Sequence, residues 1–96
     1  MMILITYDIN TETPAGAKRL RKVAKACQNY GQRVQNSVFE CLLDSGQLTQ
    51  LKHRLTELID VEKDSLRFYN LGDSWPSRVD HVGAKASIDL TGPLLA

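Results

Sequence analysis

The sequence predicts an α+β fold, with two helices packed on one face of an antiparallel sheet and an extended strand-like tail at the C-terminus. Three observations indicate this class. The chain opens on an alternating apolar segment, two later segments repeat apolar residues at helical spacing, and β-prone segments separate and follow them. The resulting order is β-α-β-(β)-α-β, the split βαβ or ferredoxin-like arrangement. In that arrangement the other face of the sheet is either covered by another molecule or wet.

The first strand is predicted over residues 2 to 9, and it separates two kinds of side chain. We expect the more apolar face to pack against the helices and the semi-polar face to stay free of them. The first face carries Ile3, Ile5, Tyr7 and Ile9, and the second carries Leu4, Thr6 and Asp8. A carboxylate at the end of such a strand needs an explanation, because aspartate is depleted in strands.

The first helix is predicted from Pro14 to about Tyr30. Thr13 is a suitable N-cap, Pro14 suits the first helical position, and Gly31 suits the stop after the helix. The apolar stripe follows the spacing i, i+3, i+4, i+7 and consists of Leu20, Val23, Ala24 and Cys27. One face of this helix should therefore be buried.

The β-prone segment of residues 31 to 44 comes next. Its alternation is imperfect around Asn36 and Ser37, which indicates a bulge or a bend. Another strand is predicted at residues 65 to 71. The C-terminal tail, residues 78–96, has short β-prone pieces and no helical period, and its last part, about residues 84–96, is expected to pack on a partner protomer.

The second helix is predicted to begin with Asp44 or Ser45 as its cap and to end near Asp60. Leucines recur along it at helical spacing, at Leu48, Leu51, Leu55 and Leu58. This stripe should cover the sheet beside the first helix.

Length and composition indicate a single domain, residues 1–96, with one core. Hydrophobic residues make up 43% of the chain. No apolar run approaches the about 18 residues of a membrane span, and no signal peptide is recognisable. We therefore expect a cytoplasmic protein without a membrane partner. Cys27 and Cys41 lack the spacing of metal ligands and are expected as small core residues.

The net charge is only +1, but its distribution is uneven. Between Thr13 and Phe39 there is no acidic residue, and the basic ones are Lys18, Arg19, Arg21, Lys22, Lys25 and Arg33. On the helix, we expect Arg19, Lys22 and Lys25 near the exposed side. Such a segment indicates one anion-facing surface, although an ordinary solvated helix face would show the same pattern.

Asp8 allows two interpretations. It can cap the loop after the strand, as aspartates commonly do. Alternatively, it can bind Mg²⁺, which often uses one or two carboxylates together with waters and substrate phosphates. If two sheets met about a two-fold axis, the two Asp8 carboxylates could converge on one ion and support phosphodiester cleavage.

Further polar residues point to phosphate. Arg19 and Arg21 lie on the first helix, Arg33 opens the next strand and Ser37 follows, and arginine binds phosphate through a planar fork of donors. No aromatic platform for bases is evident, since Phe68 and Tyr69 are adjacent in one predicted strand and should face opposite ways. We interpret Trp75 as a packing residue and His53 and His81 as ordinary polar residues, although His81 could approach a partner chain.

Some of these motifs resemble those of a known family. The opening strand "LITYDI", the basic helix and then "GQRVQNSVFEC" are similar to the small CRISPR-associated Cas two proteins, and so is the tail "VDHVGAKASIDLTGPL". The resemblance covers essentially the whole chain. It implies a ferredoxin-like homodimer, sheet against sheet, in which the tail joins or packs on the partner protomer.

The resemblance also implies an activity and its residues. The family works in spacer acquisition, bridging dimers of the integrase Cas one and holding duplex DNA, and some members are metal-dependent endonucleases on double-stranded DNA or single-stranded RNA. One Mg²⁺, or alternatively Mn²⁺, would be shared by Asp8 of both chains. The residues that the resemblance implies in activity are Tyr7, Asp8, Arg33, Ser37 and Phe39, with Arg19 and Arg21 matched more loosely. From the basic segment we expect nucleic-acid contacts at Lys18, Arg19, Arg21, Lys22 and Lys25.

Three functions therefore compete. The first is a Mg²⁺-dependent endonuclease acting most readily on duplex DNA. The second is a non-catalytic DNA-binding scaffold that bridges integrase dimers. The third, a regulatory domain for a small ligand, is disfavoured, because the chain lacks a glycine-rich ligand loop and concentrates its basic charge on one helix.

Overall fold

A computed structural model describes residues 1–83, and its elements follow the predicted order. The predicted tail exchange over residues 84–96 lies outside this part of the chain. A short 3₁₀ turn, Trp75–Ser77, follows the last strand. The strands and helices are β1 (Met2–Asp8), α1 (Pro14–Gln28), β2 (Gln32–Gln35), β3 (Val38–Leu42), α2 (Ser45–Leu58) and β4 (Ser65–Gly72).

The four strands form one antiparallel sheet in the order β2-β3-β1-β4. This is the ferredoxin-like topology, so the predicted fold class is confirmed. β1 is central, and its last residue, Asp8, pairs with Ser65 at the start of β4. β4 therefore pairs with β1 as far as Asp8, the residue that carries the carboxylate.

The two faces of β1 differ in burial as predicted. Residues on the helix-facing side are buried, namely Ile3, Ile5, Tyr7 and Ile9. On the opposite side, which we call the open face, Leu4 and Thr6 are half-buried and Asp8 is exposed. The alternation of apolar and polar residues thus fixes which side of the sheet the helices cover.

Both helices begin at the expected caps. The Thr13 hydroxyl accepts a hydrogen bond from the Gly16 N–H at 3.1 Å. Asp44 caps α2 by accepting from the Gln47 N–H at 2.7 Å, and the Gln47 side chain accepts from the Asp44 N–H at 3.0 Å. Each cap satisfies N–H groups that the first turn of a helix leaves without partners.

Gly31 does not stop α1 in the way that the sequence suggests. Its φ is not positive, so it is not a left-handed C′ residue. A Cβ at this position would instead collide with the Glu40 carbonyl oxygen and with the Cys41 sulfur. The glycine is required because β3 passes close to the backbone after α1.

The irregularity predicted around Asn36 and Ser37 is a tight turn with an adjacent bulge. β2 and β3 form a hairpin, and their register shifts between Arg33 and Gln35. The β-prone segment is therefore two strands rather than one, which supplies the strand left conditional in the predicted order.

Both cysteines belong to the core, as predicted. Cys27 and Cys41 are fully buried and free. Burial raises the pKa of the Cys27 thiol to about 11 and that of the Cys41 thiol to about 12. Both remain protonated thiols at neutral pH and pack as small apolar residues.

Candidate active site at the end of the first strand

A cleft opens where β1 ends, between α1 and the β2–β3 hairpin. Its volume is about 510 Å³. Leu20 and Ala24 of α1 contribute apolar lining, and the polar residues that line it are Tyr7, Asp8, Thr11, Arg21, Arg33, Asn36 and Ser37. The fold thereby brings together five residues that the sequence singled out from three separate segments of the chain.

Asp8 lies where the open face of the sheet meets this cleft. The residue is exposed, and within residues 1–83 no ion pair or side-chain hydrogen bond engages its carboxylate. It does not cap the loop after β1, since the Asn10 side chain accepts the hydrogen bond from the Glu12 N–H at 2.9 Å. The capping interpretation of Asp8 is therefore wrong, and its charge is available to a ligand.

Tyr7 is largely buried and shapes the hairpin side of the cleft. Its hydroxyl donates to the Asn36 carbonyl at 3.0 Å, and its N–H donates to the Ser37 carbonyl at 3.1 Å. Burial raises the pKa of Tyr7, and the positive charge of Arg33 only partly offsets this effect. Tyr7 is thus a neutral donor that fixes the Asn36–Ser37 turn, rather than a base.

Phe39 does not reach the cleft, and a direct catalytic role for it is wrong. Its side chain is fully buried, because it points from β3 into the space under the helices. The ring packs against Tyr7, with centroids 6.2 Å apart, and the Arg33 guanidinium carbon lies 5.2 Å from its centroid. Phe39 supports two residues of the site without touching a substrate.

Replacing Phe39 by alanine is expected to lower the free energy of unfolding by about 3–5 kcal/mol, because a fully buried ring leaves a cavity. Urea denaturation at a fixed protein concentration measures the change. Val61→Ala is a suitable control, since this apolar side chain is 72% exposed. A loss at Phe39 no larger than that at Val61 would contradict the core role.

Arg21 and Arg33 supply positive charge from opposite sides of the cleft. Both side chains are exposed, Arg21 on α1 and Arg33 on β2. Ser37, which is half-buried, adds a hydroxyl at the hairpin turn. Two guanidinium groups near one free carboxylate form a setting in which a phosphate can bind next to a metal ion.

The three lysines of α1 form a stripe outside the cleft. Lys18, Lys22 and Lys25 recur at i, i+4 and i+7 and are exposed, which confirms the predicted side of Lys22 and Lys25. None forms an ion pair within residues 1–83. We call these three residues the lysine stripe.

Arg19 departs from the prediction. It was expected near the exposed side of α1, but its side chain is only 18% exposed and pairs with Asp64. The Arg19 Nε donates to Asp64 Oδ2 at 2.7 Å. Sequence spacing missed this contact because Asp64 lies 45 positions away, at the end of the connection from α2 to β4.

Asp64 is the acidic residue that sequence reasoning overlooked. Its side chain is completely buried, which is rare for aspartate unless it is paired. Burial raises the pKa of its carboxyl, but hydrogen bonds from Arg19 and from the Asp60 and Asn10 N–H groups outweigh this, so the pKa lies below its ordinary value. Asp64 belongs to no sequence motif, and its position directly before a predicted strand is a weak signal of a structural role.

This pKa predicts how stability depends on pH. A carboxyl with a lowered folded-state pKa stabilises the fold above its unfolded pKa, about 4, and loses that contribution as pH falls through the folded value. Asp64→Asn should therefore flatten the loss of stability below about pH 4. Urea denaturation between neutral and acidic pH tests this, with the exposed Asp80→Asn as a control that keeps the wild-type slope.

The remaining singled-out residues lie apart from the cleft. His53 is exposed and pairs with Glu57 at 2.7 Å, and His81 is exposed. Trp75 is half-buried in the 3₁₀ turn. Phe68 is half-buried towards the core while Tyr69 is exposed, so these neighbours do face opposite ways.

The residues present fit a shared Mg²⁺ better than a metal cage within one chain. Residues 1–83 contain no group of three or more His, Cys, Asp or Glu side chains that could hold an ion. One free carboxylate at an open position is nevertheless sufficient where a second chain, waters or a phosphate complete the ligands.

Among the described residues, neither helix is long and apolar enough to cross a membrane.

Fold and cleft together define a small ferredoxin-like domain whose cleft is lined by two arginines and an unpaired carboxylate. The family model described as CRISPR associated protein Cas2 matches residues 1–79. The chain is 67% identical over 95 residues to the CRISPR-associated endonuclease Cas2 of Halalkalibacterium halodurans, covering 99% of each chain. It is 62% identical over 94 residues to the CRISPR-associated endoribonuclease Cas2 3 of Rhodospirillum rubrum, covering 98% of this chain and 99% of that one.

Solved structures agree with these sequence matches. The crystal structure of Streptococcus pyogenes Cas2 at pH 6.5 is 61% identical, with a TM-score of 0.76, and the match covers 86% of this chain and all of that one. The chain therefore belongs to the CRISPR-associated Cas2 family, which confirms the resemblance inferred from its motifs.

Proposed function

We propose that this Cas2 protein is a metal-dependent endonuclease of CRISPR spacer acquisition, acting in the cytoplasm. The observation that carries the proposal is the exposed, unpaired Asp8 carboxylate beside a cleft that also holds Arg21 and Arg33. The names of two relatives, an endonuclease and an endoribonuclease, support nucleic-acid cleavage. Duplex DNA is the favoured substrate, with single-stranded RNA as the alternative.

Asp8 is the residue that would hold the metal. One Mg²⁺, or Mn²⁺ in its place, would be shared by Asp8 of both chains of a homodimer and would activate water and neutralise charge on the phosphate. The open coordination positions suit water and phosphate oxygens. In the absence of a cation the two carboxylates would repel each other, so a divalent ion also favours their approach.

The chain's own donors would hold the substrate around that position. Arg21 and Arg33 bind the phosphate through charge-assisted hydrogen bonds. Ser37 provides a hydroxyl donor at the hairpin turn, while Tyr7 keeps that turn in place through its bonds to Asn36 and Ser37. These contacts are to the phosphodiester backbone, so they do not select a base sequence.

A homodimer through the open face would bring the two Asp8 residues together. This face pairs Leu4 with Glu40 and Tyr69, and Thr6 with Val38 and Arg67, so half-buried apolar residues alternate with polar ones. Tyr69 is 42% exposed at its edge. Cyclic dimers are the commonest oligomers and suit such a face.

Light scattering is expected to show a particle of twice the 10.7 kDa chain mass at micromolar concentration. A particle of the single-chain mass would refute the shared metal site.

Removing residues 84–96 is expected to weaken the dimer, since we propose that this tail packs on the partner protomer. Unchanged association would exclude the tail from the interface.

Cleavage of labelled duplex DNA and single-stranded RNA by the purified protein tests the proposed activity. With Mg²⁺ the duplex should be cut faster than the RNA, and EDTA should stop both reactions. Restoring Mg²⁺ or Mn²⁺ should return the activity. Cleavage that persists in EDTA would contradict the metal-dependent mechanism.

The lysine stripe favours a second candidate, a non-catalytic scaffold that binds duplex DNA between dimers of the integrase Cas one. Lys18 to Lys25 span about 10 Å along α1, and a duplex presents one charge per about 1.7 Å of its axis. The stripe can therefore face several phosphates, whether or not Asp8 is catalytic. Absence of cleavage with retained DNA binding would favour this function.

A further inference from the structure

We propose that Arg19 and Asp64 act as a positioning pair that holds Asp8 and Arg21 in their places beside the cleft. The proposal rests on the nuclease function above. It assigns Arg19 a role through Asp64 rather than contact with nucleic acid, and it gives the same role to an aspartate that belongs to no motif.

The geometry at Asp64 ties three segments together. Its Oδ1 accepts from the Asn10 N–H at 2.9 Å, and its Oδ2 accepts from the Asp60 N–H at 2.9 Å. Arg19 donates to both oxygens, from Nε at 2.7 Å and from Nη2 at 3.3 Å, and Nη2 also lies 3.4 Å from the Asn10 carbonyl. One buried carboxylate thus joins the β1–α1 connection, α1 and the α2–β4 connection.

These bonds hold the backbone that follows Asp8 and lie next to the strand that pairs with it. Asn10 follows Asp8 by two residues, and both its N–H and its carbonyl are engaged by the pair. Ser65, the residue after Asp64, is the partner of Asp8 in the sheet. A displacement of Asp64 would therefore move the strand end that presents the carboxylate.

The same pair sets the orientation of α1. Residues two apart on a helix point about 200° away from each other. With Arg19 directed inward to Asp64, Arg21 is directed to the cleft, where it is exposed. Rotation or withdrawal of the helix would carry the Arg21 guanidinium away from Asp8.

A second contact at Asn10, which involves no charge, also holds the connection between β1 and α1. Gly16, in the first turn of α1, is buried, and a Cβ there would collide with the Asn10 carbonyl oxygen. The collision is with backbone, so the β1–α1 connection would have to shift. Gly16→Ala therefore perturbs the same connection while both residues of the ion pair are kept.

Cleavage kinetics of the dimeric full chain test the pair. Asp64→Asn, Arg19→Gln and Gly16→Ala should each lower kcat about 10- to 100-fold and raise the Mg²⁺ concentration for half-maximal rate, since small misplacements of catalytic groups have effects of this size. The double variant of Arg19 and Asp64 should be no slower than the worse single variant. Additive losses would overturn the pair as a unit.

DNA binding distinguishes positioning from phosphate contact. Arg19→Gln should leave the salt dependence of duplex binding unchanged, whereas loss of a phosphate contact would reduce the slope by about 0.9. A reduced salt slope for Arg19→Gln, together with an unchanged kcat for Asp64→Asn, would overturn the proposal.

A stability-matched control separates positioning from loss of fold. Leu58→Ala removes a half-buried core contact at the far end of α2, so it should lower the melting temperature while keeping kcat at temperatures where the protein is folded. Wild-type kcat in the Asp64 and Arg19 variants under the same conditions would refute the proposal.

Manganese binding provides a readout that needs no cleavage. In the wild type, Mn²⁺ should broaden the amide resonance of Asp8, and the Asp64→Asn dimer should need about tenfold more Mn²⁺ for the same broadening. If the wild type does not cleave but this difference is found, the nuclease function fails and the positioning role stands. Equal titrations of both proteins, or no broadening in either, would refute the positioning role.

Discussion

Asp8→Asn is expected to abolish Mg²⁺-dependent cleavage while leaving the fold and the dimer intact. The substitution keeps the size of the side chain and removes the charge that would bind the ion. Loss of residues that merely orient metal ligands lowers affinity or activity about 10- to 100-fold, so loss of the ligand itself should exceed about 100-fold. Asp8 is exposed and unpaired within residues 1–83, so folding should be unaffected.

The measurement is a comparison of purified wild type and Asp8→Asn at matched concentration, with circular dichroism and light scattering to verify fold and dimer. Glu40→Gln is a matched control, because it removes a carboxylate on the same open face, opposite Leu4. It should keep the wild-type rate. Equal rates for wild type and Asp8→Asn would show that Asp8 is not catalytic, and the scaffold function would then be preferred.

Removal of the lysine stripe is expected to have the largest effect on DNA binding. Each neutralised phosphate contributes about −0.9 to the slope of log affinity against log salt, so replacing Lys18, Lys22 and Lys25 by glutamine should flatten the slope by up to about 2.7. Over a fourfold rise in salt, wild-type affinity would fall about 40-fold more than that of the variant.

A control variant with the same change in charge is available on the other elements. Lys52, Arg54 and Lys63 are exposed and lie on α2 or after it. Their joint replacement by glutamine should leave the slope near the wild-type value. Equal slopes for the wild type and the lysine-stripe variant would show that this face of α1 does not bind the duplex.

Much of the fold could be predicted because its signals are local. Thr13 and Asp44 cap helices through residues three positions away, and leucine spacing identifies the buried side of α2. Alternation along β1 assigned Ile5 to the core and Asp8 to the open face. Such patterns require only the periods of helix and strand.

The site was predictable in part. Tyr7, Asp8, Arg21, Arg33 and Ser37 were chosen from the sequence, and the fold brings them to one cleft. Phe39 was chosen with them, but a residue type within a motif does not reveal whether its ring faces a ligand or the core. In the sheet Phe39 lies opposite the buried Ile5, on the side that the helices cover, and its ring is therefore buried.

The sequence by itself determined the order of the elements, the faces of β1 and the family, since these depend on neighbouring residues and on motifs. Only the tertiary structure decided that Arg19 turns inward while Arg21 faces the cleft. Helical period places these residues on different sides of α1 but does not say which side meets a carboxylate. That choice depends on Asp64, which is 45 positions away and is brought to Arg19 by the pairing of β4 with β1.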